Sequence, residues 1–252
     1  IDVLDTAMDC GIRTLMCTTH DRIANICEYM RQNQDKYKDF KFYPCMPYAH
    51  KYANAVTELG IMGTLKAYIP GNILSVASKA GIAYMRKDFP TLMELLIDAE
   101  MKMFHDLNTP VIFLQNVIVD LLMGLGTDEI FVHYVNYIKE KYNASPGFIT
   151  MNLPKMVDLC ERLDIENPII CSSINKIGFR MSGSNEIYED YLNSDKEFRH
   201  MAMQCLAAGA LKPEEAMEYV CRFPKIESVL FGASSRAHIQ QIKDLVESYS
   251  QK

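Results

Sequence analysis

The stretch Phe198–Gln241, FRHMAMQCLAAGALKPEEAMEYVCRFPKIESVLFGASSRAHIQQ, decides the fold class. An apolar, strand-like run from Met201 to Leu206 precedes a helix opened by Pro213 and Glu214. A second strand follows at Ser228 to Phe231, and a Gly-Ala-Ser-Ser turn feeds another helix. This is a βαβα unit. Parallel strands need a crossover of this length, and repeated crossovers make an α/β fold whose ligand site sits at the carboxyl ends of the strands.

Working outward, the same alternation covers the chain. Val3 to Cys10 reads as a short helix stopped by Gly11, and IRTLMCTT as a buried strand. Ile23, Ile26, Cys27 and Met30 recur at helical spacing, and Phe40 to Met46 is a strand with Pro44 awkwardly inside it. A helix over 50–59, a strand over 62–69 and an amphipathic segment over 73–80 are predicted next. A helix at Asp88 to Phe104 leads to the strand VIFLQN, and Thr127 or Asp128 caps a helix running to Tyr142. Strands at Gly147–Asn152 and Pro168–Asn175 complete a count of eight. The expectation is a single (β/α)8 TIM barrel over residues 1–252, with a candidate lid at 70–90 hinged at Gly71 and Gly81. An open doubly wound sheet competes, but CTTHDR stands where its glycine-rich first turn belongs.

Composition narrows the partners. A chain of 252 residues, 49% apolar, can bury a sizeable core, and a net charge of −6 gives no general attraction to nucleic acid or to an anionic membrane. The tyrosines are too scattered for a base-stacking platform. Eight cysteines at irregular positions, without a CxxC pair, read as buried thiols in a reducing, cytoplasmic setting. Methionines inside apolar runs read as adaptable core filling. The sequence begins at IDVLDTAMDCG, as if a helix were already under way. Small molecules, and a homo-oligomer, are the expected partners.

The terminal segment AMQCLAAGALKPEEAMEYVCRFPKIESVLFGASSRAHIQQI, with LDTAMDCGIRTLMCTT and FITMN, resembles the aldo/keto reductase superfamily. The resemblance implies a barrel with a nicotinamide cofactor, NADP or NAD, across the strand ends. It implies that Gly232, Ser234, Ser235 and Arg236 line the nucleotide side, with Gln240 on the next helix and Asn152 holding the carboxamide. It also implies an Asp, Tyr, Lys and His set, and here the chain departs. Cys17, Thr18 and Thr19 stand in place of the aspartate, Met46, Pro47 and Tyr48 in place of the lysine, and Tyr68 and Ile69 where the histidine is sought. The resemblance therefore carries the scaffold further than it carries ordinary carbonyl reduction.

The residues themselves offer candidates beside plain structural roles. His20 can move a proton near neutral pH with Asp21 orienting it, or the two can simply cap a helix beside Thr18 and Thr19. Cys45, Tyr48 and His50 form a second group, in which Tyr48 is a candidate proton donor and Cys45 a buried thiol. Lys66 and Tyr68, two apart on a strand, face one side and are candidates for anion neutralisation and proton transfer. Gln115, Asn152 and Asn175 close strands with amides suited to a sugar-like substrate or a carboxamide. Ser172, Ser173, Lys176 and Arg180 add donors and positive charge. Gly232 to Arg236 has the clearest physical case, a close turn feeding a helix whose free amides favour an anion. No compact metal motif is present.

Three functions stay open. The first is a divergent aldo/keto-reductase-like oxidoreductase acting on a small carbonyl or sugar-like substrate. The second is a cofactor-independent or metal-assisted lyase, isomerase or hydrolase acting on a sugar phosphate or polyol. The third is a noncatalytic binding or assembly subunit.

Overall fold

Among the described residues, seven parallel strands alternate with helices in an α/β fold, the strands ordered β1 to β7 as they occur in sequence. The structure, a computed structural model, describes residues 1–48 and 88–250. The predicted helix over 50–59, the strand over 62–69, the segment over 73–80 and most of the candidate lid lie outside the described residues. So do His50, Lys66 and Tyr68. The eight strands expected from sequence are therefore seven among the described residues. The chain divides into a central unit, Leu15–Pro146, and a terminal unit, Ile1–Thr14 with Gly147–Lys252.

In the central unit, β1 (Thr14–Thr18) leads to α2 (Asp21–Gln32), a one-turn α3 (Gln34–Tyr37) and β2 (Lys41–Met46). Pro44 is tolerated inside β2, where Cys45 and Met46 pair in parallel with Phe113 and Leu114 of β3 (Val111–Leu114). All four residues of β3 are buried, which is why it reads as an unbroken apolar run. α4 (Phe89–Met101) starts where the Asp88 carboxylate accepts the Thr91 amide at 3.1 Å, with Pro90 in the first turn. A 3₁₀ turn, Lys102–Phe104, ends it.

α5 (Asn116–Leu125) is a helix that the sequence reading passed over, and Gly126 ends it at φ +68°, a conformation glycine adopts without steric cost. α6 (Asp128–Tyr142) follows. Its predicted cap is different in detail, since the Thr127 hydroxyl donates to Leu122 O at 3.3 Å rather than accepting from the new helix. Phe40 meets Phe42 edge to face and Phe42 meets Phe104 at a tilt, with centroids 5.2 and 5.6 Å apart along the chain of rings.

α4 and α6 are joined by a polar ladder. His133 Nε2 lies 2.7 Å from Glu94 Oε1, and one turn further the Asp98 carboxylate accepts from the Tyr137 and Tyr142 hydroxyls and from Lys141. Burial pushes the Asp98 carboxyl up, but those three donors outweigh it and hold it below the usual carboxylate range. Asp98→Ala strands two half-buried phenols and is expected to cost about 1–3 kcal/mol, read as a lower denaturant midpoint at an unchanged slope. A loss under about 0.5 kcal/mol would show that water replaces the carboxylate.

In the terminal unit, α1 (Asp2–Asp9) stops at Gly11, whose φ of +86° lets Gly11 N and Ile12 N donate back to Met8 O and Ala7 O. β4 (Ser145–Thr150), β5 (Ile169–Ser173), β6 (Arg199–Met203) and β7 (Ile226–Val229) pair in parallel through Gly147↔Ile169, Ile169↔Arg199 and Met201↔Ser228. β6 begins two residues before its predicted start and ends three earlier than predicted. The left-handed Gln204, φ +56°, closes it. β7 likewise starts two residues early and ends at Val229 rather than Phe231.

α7 (Leu153–Arg162), α8 (Asn185–Asn193), α9 (Pro213–Val220) and α10 (Arg236–Ser250) complete the unit. Phe148, Ile170, Cys171, Met156, Tyr188, Leu192, Met217 and Val220 are fully enclosed, a core of about the composition the sequence promised. Among the described residues, no helix is long and apolar enough to cross a membrane.

Candidate functional site

Parallel α/β sheets present their loops, and so their chemistry, at the carboxyl ends of the strands. In the central unit those ends carry Thr18, Thr19 and His20 after β1, Tyr48 after β2 and Gln115 after β3. Thr19 is fully buried, and its hydroxyl donates to Glu100 Oε2 at 2.5 Å. The Tyr48 amide donates to both oxygens of the same carboxylate, at 2.9 and 3.1 Å. Glu100, on the last turn of α4, thus joins the exits of β1 and β2. Sequence reasoning missed it because MELLIDAEMKM offers three acidic letters, Glu94, Asp98 and Glu100, that read together as a polar helix face. The only signal was that Glu100 lies three residues after the core position Ile97 and next to Met101.

His20 is exposed, and its Nδ1 accepts the Arg22 amide at 3.1 Å as the N-cap of α2, with Asp21 exposed in the first turn. Thr18 and Tyr48 are half-buried, and Gln115 is buried at the N-cap of α5, its backbone amide donating to Met46 O at 3.1 Å. Cys45 is a buried thiol outside any disulfide, and it donates to Tyr43 O at 3.6 Å. Burial pushes the Cys17 thiol beyond the ordinary range and the Cys27 thiol up to about 11, so both are protonated at neutral pH and neither is a nucleophile.

In the terminal unit the strand-end amides organise loops. Asn152 caps α7 through its Oδ1, which accepts Lys155 N at 3.2 Å. Asn175 is fully buried: its Oδ1 accepts Phe179 N at 2.8 Å and its Nδ2 donates to Phe179 O at 2.9 Å, folding the loop after β5 back on itself. That loop carries Arg180, an exposed guanidinium at φ +54°. Lys176 is exposed and pairs with Glu215 at 2.7 Å. Beneath the loop, Ser173 Oγ donates to Gln204 Oε1 at 2.6 Å, and Ser172 Oγ lies 2.8 Å from His200 Nε2.

A cavity of about 380 Å³ opens at the carboxyl ends of β5, β6 and β7. Phe179 and Arg180 line it from the first loop, Gln204 and Cys205 from the second, and Phe231 and Gly232 from the third. A side chain added at Gly232 would meet nothing within 4 Å, so the wall there is open. Burial pushes the Cys205 thiol up to about 12, leaving it an inert part of the wall. Two aromatic rings, one guanidinium and one amide line this space.

The other residues of the terminal turn serve α10 in this structure. Ser235 Oγ accepts His238 N at 3.3 Å, and Gln240 Nε2 donates to Asp244 at 2.6 Å. Arg236 meets Asp9 at 3.1 Å with both side chains exposed, and Ser234 is exposed. Among the described residues, no group of three or more His, Cys, Asp or Glu side chains is placed to hold a metal ion.

The α/β fold with this strand order is similar to that of solved aldo-keto reductases. The structure is similar to a protein assigned as an aldo-keto reductase from Pseudomonas aeruginosa, with TM-score 0.61 and 11% identity over 98% of this chain and 82% of that one. It is also similar to the apo form of an aldo-keto reductase from Bacillus halodurans, with TM-score 0.55 and 12% identity over 99% and 83% of the two chains. The aldose reductase of Schistosoma japonicum gives TM-score 0.53 and 10% identity over 99% and 82%. No protein-family model matches the sequence, and no curated protein matches it.

Proposed function

We propose that the chain is a divergent member of the aldo/keto reductase superfamily, an oxidoreductase that binds NADP or NAD and acts on a small carbonyl or sugar-like substrate. One observation carries the reading: in a chain of this fold, the cavity walled by Phe179, Arg180, Gln204 and Gly232 lies at the carboxyl ends of three successive strands. The whole chain, on this reading, is one (β/α)8 barrel domain with its remaining strand at 62–69 and a lid at 70–90, working in the cytoplasm.

When bound, the nicotinamide would supply hydride. The chain's part is to hold the nucleotide, orient the carbonyl and deliver a proton to its oxygen. Gly232, Ser234, Ser235, Arg236 and Gln240 would hold the phosphate side, with Asn152 toward the carboxamide. For Arg236 this means exchanging Asp9 for phosphate, a small loss because that pair is exposed. Tyr48 or Tyr68 would donate the proton, with His20 and Lys66 tuning it. Thr18, Thr19, Asp21, His50, Gln115, Asn175, Lys176 and Arg180 would shape the substrate side.

Equilibrium titration with NADPH and NADH, followed by nucleotide fluorescence, tests this. Saturable binding is expected, weakened about tenfold or more by Gly232→Trp, which projects a ring into the open wall, and about three- to tenfold by Arg236→Ala. The absence of saturable association with either nucleotide would overturn the reading and leave proton-transfer chemistry on a sugar phosphate, or a noncatalytic role.

A further inference from the structure

A carboxylate is costly at the position Glu100 occupies. It is 3% exposed, and it sits in the last turn of α4, where the negative end of the helix dipole opposes it. What offsets the cost includes the Thr19 hydroxyl and the Tyr48 amide, one from the exit of β1 and one from the exit of β2. The Tyr48 amide is shared between the two oxygens, so the carboxylate plane, and with it the Tyr48 backbone, is fixed in direction as well as distance.

An apolar residue of the same volume would fill this space at lower cost in desolvation, as hydrophobic replacements of buried charged groups generally do. What such a residue cannot do is tie two strand exits together. Thr19 and Tyr48 are also the residues that replace the expected charged set at these exits. A single buried acid on a neighbouring helix thus holds both.

We propose that Glu100 is a positioning residue of the candidate site, clamping Thr19 and the Tyr48 backbone so that the Tyr48 phenol is presented at the strand ends. The proposal deepens the oxidoreductase reading and rests on it for the chemistry that Tyr48 performs. The clamp itself is a property of the apo chain. Glu100→Met keeps about the volume but removes both acceptor oxygens, so the shared amide and the hydroxyl each lose this partner. Thr19→Val removes one arm alone and leaves the Tyr48 amide bonded.

Two readouts separate the clamp from the chemistry. Amide hydrogen exchange resolved at Tyr48 is expected to speed up about tenfold or more in Glu100→Met and little in Thr19→Val. In turnover of 4-nitrobenzaldehyde with NADPH, kcat is expected to fall about tenfold or more in Glu100→Met, with the KM for NADPH within about twofold of the parent. Unchanged exchange at Tyr48 overturns the proposal whether or not turnover is found. Faster exchange with unchanged kcat also overturns it, by reducing Glu100 to a structural tie. Faster exchange in the variant, where the parent binds NADPH but turns nothing over, supports the clamp, and it is then the carbonyl-reduction reading that fails.

Discussion

Replacing Tyr188 by phenylalanine is expected to destabilise the terminal unit by about 2–3 kcal/mol although the ring stays in place. The side chain is fully buried on α8, and its hydroxyl stands at a junction of three segments. It donates to Met151 O at 2.7 Å just past β4, and it accepts from Leu153 N at 3.3 Å and Ser182 N at 3.2 Å. Leu153 is the first residue of α7, so its amide is one of the orphan donors every helix leaves at its start. Ser182 retains a second partner in Met151 O at 2.9 Å, but Leu153 N loses a buried acceptor. The measurement is urea unfolding, with the midpoint lowered and the slope unchanged, together with faster amide exchange at Leu153. A change below about 0.5 kcal/mol would show that water enters and takes the hydroxyl's place.

The βα alternation was legible because each strand of a parallel sheet is buried on both faces and reads as an apolar run. VIFL and IICSS are such runs, and Gly11, Pro90, Pro154 and Pro213 punctuate the helices around them as the physics of φ requires. Boundaries failed where the deciding feature was tertiary. β6 starts at Arg199, a charge that hides the strand because its guanidinium is spent on Glu227 at 2.8 Å outside the core. α5 went unseen because NVIVDLLMGL has too few polar residues to show a face, and Val117, Leu121 and Leu125 are exposed on it.

The candidate site was less legible, for a specific chemical reason. The side chains that cap helices and tie loops are the same short polar residues that bind ligands, so His20, Asn152 and Ser235 carry one set of letters for two roles. In this structure they accept Arg22 N, Lys155 N and His238 N. Asn175 stands apart because its amide is consumed on both sides by Phe179. The strand-end cavity, by contrast, follows from topology: Arg180 and Gly232 were singled out 52 positions apart in sequence and meet as wall residues of one space. Glu100 needed coordinates. Its letters fit a solvated helix face, and only the path of the β1 and β2 exits makes it an interior acid.

Acid is expected to destabilise the protein through His200 more than through any exposed histidine. The ring is fully enclosed on β6, Nε2 meets Ser172 Oγ at 2.8 Å, and Nδ1 is buried without a hydrogen-bond partner. Burial pushes its pKa down to about 3, against 6.5 for an ordinary histidine. The sign follows from proton counting. Between those two values the unfolded chain binds a proton that the native chain refuses, so the contribution is whole above about pH 6.5 and is lost as pH falls toward 3. At up to about 1.4 kcal/mol per pH unit, roughly 2 kcal/mol should be gone by pH 5. Urea unfolding at pH 7.5 and 5.0 measures the loss. His200→Leu strands the Ser172 hydroxyl and lowers stability at both pH values, but it removes the titrating group. The difference between the two pH values should therefore shrink by about that same 2 kcal/mol. Other acid-sensitive groups, Asp98 among them, are common to both proteins and cancel in the comparison. Equal pH dependence in parent and variant would mean that the buried ring takes up its proton as readily as in the unfolded chain, and the assignment of acid sensitivity to His200 would fail.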